Sequence, residues 1–118
     1  ECADVTIDAY SFGRIVINGR EYDSDVLIYP DGRIDAAWWR NEGHVLAESD
    51  IADLIRSQPE TIIAGTGASG MMKPERSLLE SLTRQGIRLL PLPTKDAVDA
   101  FNRRSGKDKV AACLHLTC

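Results

Sequence analysis

Two histidines and three cysteines are the residues whose types could move a proton, attack an electrophile or hold a metal. Cys113 and His115 are two apart, so on a strand their side chains share one face. Such a pair can act as a nucleophile dyad only if the thiolate is exposed. The surrounding run over 110–116 is almost wholly apolar, and a cysteine in a buried strand behaves as a small hydrophobe. His44, His115, Cys113 and Cys118 supply zinc-ligand types without zinc-ligand spacing, so no metal is expected. His44 follows Gly43 in the connection between the two halves of the chain. It could serve as a general base titrating near neutrality, or simply bond backbone carbonyls as a loop residue. Arg40 follows Trp38 and Trp39. An aromatic face beside a guanidinium fork can hold a planar anion. The competing reading makes one tryptophan a seal between layers. Glu48 and Asp50 fall at a helix start, where they favour the dipole. No carboxylate pair and no serine in a nucleophile elbow call for a catalytic explanation. No catalytic residue is assigned, and the balance leans away from an enzyme.

The run Gly65-Thr66-Gly67-Ala68-Ser69-Gly70 matches G-x-G-x-x-G after an apolar strand, the context the dinucleotide fingerprint needs. That fingerprint also starts its helix inside the glycine run, whereas Met71-Met72-Lys73 intervene before Pro74. It further wants an acid at the end of the next strand, and Leu89-Leu90-Pro91-Leu92 offers none. No dinucleotide, and no other cofactor, is expected. Two readings remain: a tight turn with positive φ at glycine, or a loop whose backbone N–H groups hold a small anion near Lys73. On the second, Arg40, His44, Gly65, Thr66, Gly67 and Lys73 line one shallow polar pocket at the carboxyl ends of the central strands.

The elements that would position these residues fall into two halves. Val5, Ile7 and Ala9 alternate with polar neighbours at the period of a half-buried strand. Residues 14–17 and 20–23 flank Asn18-Gly19, a hairpin signal because both turn positions need positive φ. Residues 25–29, a Pro30-Asp31-Gly32 turn and residues 33–38 extend this meander. The second half alternates helix and strand. Ser49 caps a helix carrying Ile51, Leu54 and Ile55, and 61–64 is a strand. Pro74 opens a helix with Leu78, Leu79 and Leu82 inward, followed by a strand at 87–90. Thr94 caps a helix carrying Val98 and Phe101, and 110–116 is the last strand. The expected fold class is α/β: three layers, with a central mixed, largely parallel sheet flanked by helices and an amino-terminal β-meander as an added layer.

Length and composition set outer bounds. The 118 residues suit one domain spanning 1–118. A net charge of −4 argues against a nucleic-acid partner. No apolar run approaches the roughly 20 residues that cross a bilayer, so no membrane insertion is expected. The start Glu1-Cys2-Ala3-Asp4 lacks the character of a signal peptide. An odd cysteine count without CxxC spacing fits a reducing compartment, so the cytoplasm is expected.

Taken in order, the motifs resemble a known family. They are Tyr10-Ser11-Phe12-Gly13, Ile17-Asn18-Gly19 with Tyr22, and Val26 to Pro30 with Gly32. Then come Trp38-Trp39-Arg40, Gly43-His44 and Ile63-Ala64-Gly65-Thr66-Gly67. Pro93-Thr94 with Ala97, Phe101-Asn102 and His115-Leu116-Thr117-Cys118 complete the set. Their order and spacing are similar to the Mth-domain family of unknown function, essentially end to end. The resemblance implies a three-layer α/β fold and no particular reaction. The family's animal relatives include a mitochondrial complex I assembly factor, but no mitochondrial leader is seen here. The leading expectation is a non-enzymatic binding or assembly module, as monomer or homodimer, facing an unknown protein partner. The alternative is a binding protein or enzyme for a small anionic ligand at the 65–70 loop.

Overall fold

The computed structural model describes residues 4–118; Cys2 lies outside them. Alternating apolar positions give β1 (Ile7–Ser11) and β2 (Arg14–Ile17). The Asn18-Gly19 turn then leads into β3 (Arg20–Tyr22), with φ of 49° and 80° at its two central residues. That positive-φ pair is what a two-residue hairpin loop requires. β4 (Val26–Ile28), β5 (Ile34–Asp35) and β6 (Val45–Leu46) follow. A 3-10 turn over Glu48–Ile51 runs into α1 (Ala52–Arg56). The remainder is β7 (Thr61–Thr66), β8 (Lys73–Pro74), α2 (Arg76–Arg84), β9 (Arg88–Leu92), α3 (Thr94–Arg104) and β10 (Val110–His115).

The central sheet has the order β5-β4-β10-β7-β9. β10, β7 and β9 are parallel neighbours, while β4 is antiparallel to β10. Each face of this sheet buries an apolar cluster. Ile63, Ala112 and Leu114 pack with Phe101 and Val98 of α3 and with Ile15 and Ile17 of the β1-β2-β3 sheet. Ile62, Ala64, Ala111 and Cys113 pack on the other side with Leu54, Leu78, Leu82 and Trp38. The three-layer α/β arrangement is as expected.

Several boundaries differ. Residues 25–29 and 33–38 do not extend the meander: β4 and the two-residue β5 join the central sheet instead. Val26, Leu27 and Ile28 are all buried, which demands cover on both faces, and only the central sheet supplies it. Pro74 pairs in the short parallel β6–β8 ladder, and α2 starts at Arg76 behind Glu75. Leu78 and Leu82 face inward, but Leu79 is exposed. Ser49 lies inside the 3-10 turn, where Ala47 N–H donates to the Asp50 carboxylate. Thr94 is the first residue of α3 rather than its cap, because its hydroxyl is engaged elsewhere.

Candidate functional site

Three strands carry the apolar row Leu27–Cys113–Ala64 across one face of the sheet. One pleat further toward the carboxyl ends of β7 and β10, the same face carries Asp25, His115 and Thr66. His115 and Thr66 are Cα partners in the parallel ladder. Asp25, just ahead of β4, continues that strand's register opposite His115 and reaches its ring. Side chains two residues apart on a strand share a face, so an apolar row turns polar at the sheet's edge.

The Asp25 carboxylate gathers three donors. Its Oδ2 lies 2.8 Å from His115 Nδ1 and 2.9 Å from Arg40 Nη1, and its Oδ1 accepts the Leu116 N–H at 2.8 Å. Burial alone raises the Asp25 carboxyl, but the bonds from His115, Leu116 and Arg40 outweigh it and hold the group below its ordinary value. The ionised carboxylate places the shared proton on His115 Nδ1, an assignment made from this contact. Arg40 Nη2, 3.1 Å from the same nitrogen, therefore meets a fellow donor there and bonds the Gly43 carbonyl at 2.9 Å instead. The guanidinium also stacks on Trp38, 4.6 Å from the ring centroid. Trp38 Nε1–H donates to the Asp50 carbonyl. Two buried side-chain polar atoms have no hydrogen-bond partner among the described residues: His115 Nε2 and Arg40 Nε.

The residues nominated from sequence divide into two groups. Arg40 joins this centre, but its side chain is only 6% exposed and already paired. His44 is exposed, and its ring stands edge-on to His115 at 6.5 Å between centroids. Gly67 touches the same imidazole: a Cβ there would lie 2.9 Å from His115 Cδ2 and 2.7 Å from the Thr117 carbonyl. Gly65 is equally crowded, with Leu114 and Thr94 at 2.9 and 3.0 Å from its missing Cβ. Thr66 and Lys73 instead line a cavity of about 370 Å³, together with Ser69, Gly70 and Pro93. His44 reaches that group only through its backbone, accepting the Lys73 N–H at 2.9 Å.

The glycine loop offers fewer free donors than its composition suggests. Gly67 N–H donates to the Thr94 hydroxyl, which donates in turn to the His115 carbonyl. Ala68 N–H donates to the Thr117 carbonyl, and Gly70 N–H to Gly67. The loop is thus largely a clasp on residues 115–117. Cys113, on the same face as His115, is fully buried, and burial pushes its thiol up to about 12. No group of three or more potential metal-ligating side chains is found among the described residues.

A family model described as "Protein of unknown function (DUF498/DUF598)" matches residues 7–115. The chain belongs to this family. Among solved structures, the Mth938-like fold recurs in conserved hypothetical protein PH1505 from Pyrococcus horikoshii OT3. That chain is 26% identical with a TM-score of 0.83, over 96% of this chain and 99% of the other. A protein called MT938 is 29% identical with a TM-score of 0.75, over 97% and 99%. A Bordetella pertussis protein, described as a Mth938-like domain, shares the fold at 18% identity and a TM-score of 0.67, over 94% and 85%.

In this Mth938-like chain, sequence reasoning missed Asp25 as a site residue and weighed His115 as a partner for Cys113 or a zinc-ligand type, not as a partner for an acid. A signal was present: on three segments the period-2 row changes from apolar to polar at the same end, Leu27 to Asp25, Cys113 to His115, Ala64 to Thr66. Around that edge stand exposed apolar side chains. Phe12 precedes Gly13, whose N–H donates to the Leu116 carbonyl; Trp39 precedes Arg40; Met71 follows the glycine loop. They are 64%, 74% and 48% exposed. No helix among the described residues is long and apolar enough to cross a membrane.

Proposed function

We propose that the chain is a non-enzymatic binding or assembly module that presents the carboxyl edge of its central sheet to a partner protein. One observation carries this reading. Three of the four large apolar side chains exposed among the described residues, Phe12, Trp39 and Met71, belong to loops at that edge. Asp25, Arg40 and His115 beneath them are engaged with one another. Aromatic and methionine side chains over an internally ion-paired base have the composition of an interface centre. The reading needs no cofactor and takes the chain to be cytoplasmic, as a monomer or homodimer. Its net charge of −4 disfavours nucleic acid. The test is affinity purification from the source cells of the unmodified chain and of Trp39→Ser, with the fold of each checked by circular dichroism. The reading expects one stoichiometric partner that falls at least tenfold with Trp39→Ser. An unchanged partner set would overturn it.

A second reading is favoured by the 370 Å³ cavity at Thr66, Ser69, Gly70 and Lys73. Lys73 belongs to none of the ion pairs among the described residues, so its ammonium is available to a small anion. Acetate titration followed by amide resonances should then move Thr66 and Lys73 saturably.

A further inference from the structure

His115 Nε2 is a buried acceptor with no partner, on a side chain only 9% exposed. With the Nδ1 proton directed at Asp25, the Nδ1–H tautomer of the ring presents Nε2 as an acceptor. Native structures rarely leave such an atom unpaired without a ligand, a water or a chemical role to use it.

Its surroundings say what kind of ligand would use it. Thr66 is the Cα partner of His115 in the parallel β7–β10 ladder, with its side chain on the same face. Thr66 also lines the cavity that holds Lys73. A cation in the cavity and a lone pair behind Thr66 suit an anion that carries a donor one or two atoms from its charge. The Arg40 Nε–H, also unpartnered, adds a donor on the guanidinium next to the ring. His44 covers the imidazole edge-on from the exposed, irregular segment 41–44. The same residue's carbonyl holds the Lys73 N–H.

We propose that this chain binds a small hydroxycarboxylate, with its carboxylate at Lys73 and its hydroxyl donating to His115 Nε2. The inference rests on the second reading above, that the Thr66–Lys73 cavity holds an anion. His115 is then the specificity-determining residue, and Asp25 is the positioning residue that keeps its acceptor in place.

Glycolate and acetate, which differ by one hydroxyl, are the probes. Amide resonances of Thr66 and Lys73 report the anion, and ring ¹⁵N resonances report the two histidines of the chain. The proposal expects both anions to move Thr66 and Lys73, but only glycolate to move His115 Nε2. Glycolate should bind roughly three- to tenfold tighter, the range for one neutral hydrogen bond. In His115→Phe that preference should vanish while acetate binding persists. If this variant does not fold, the ring ¹⁵N comparison on the unmodified chain decides alone. Equal affinities with an unmoved Nε2 would overturn the hydroxyl assignment and leave the anion cavity standing. Silence at Thr66 and Lys73 with both probes would overturn the cavity reading and this proposal together.

Discussion

Asp25 Oδ2 lies 2.8 Å from His115 Nδ1, joining residues 90 positions apart in the chain. The same oxygen holds Arg40, so one carboxylate ties the start of β4 and the loop after Trp39 to the end of β10. That contact joins three separate segments at the carboxyl edge of the sheet.

Asp25→Asn should cost about 2–3 kcal/mol at pH 7, measured by urea unfolding. The range is below that of a fully buried pair because the Asp25 side chain is 19% exposed. The pH dependence has a definite sign. The folded carboxyl is held below its unfolded value, so its stabilisation is complete above the unfolded value, about 3.9. It is lost as pH falls through the folded value. The gap between the unmodified chain and Asp25→Asn should therefore be full at neutral pH and close in acid below the ordinary carboxylate range. A gap that stays constant into strong acid would remove Asp25 from this role.

Gly67→Ala should be among the most damaging glycine substitutions. Gly67 has φ of +102°, and an added Cβ meets a backbone carbonyl at 2.7 Å. The expected loss exceeds about 1 kcal/mol. Gly43, with open space at its Cβ position, should tolerate alanine within about 0.5 kcal/mol. Urea midpoints that rank the two alike would refute the clasp.

Cys113 should resist thiol reagents at pH 8, since its thiol stays protonated with a value near 12. Cys118 is exposed and should label first. Mass spectrometry of the labelled chain should find Cys113 modified only at the rate of unfolding. Modification of both at one rate would show that the last strand opens.

Much of the fold was legible because local signals agreed. Residues 61–64, 87–90 and 110–116 are apolar runs punctuated by glycine and proline, and Asn18-Gly19 admits few structures other than a turn. The misreadings share a cause. Val26-Leu27-Ile28 is too short to reveal whether one face or both are covered, so its sheet could not be chosen locally. Pro74 suits a helix start, yet its neighbours Lys73 and Glu75 bond back to residues 44 and 46. At the candidate site, Arg40 read as an open cation because nothing local marks Asp25, rather than its neighbours Glu21 and Asp23, as its partner. Only the β4–β10 pairing brings that acid, the arginine and His115 together. Gly67 was legible as a turn, but not as the space that residues 115–118 fill.

The most direct test of the carboxyl edge as the binding face is a photo-crosslinking amino acid placed at Trp39 in the source cells. The same group at Leu79 serves as the control, an exposed apolar position on α2. The account predicts one discrete protein adduct from position 39 and none from 79. No adduct at 39, or the same adduct with equal yield at 79, would contradict it.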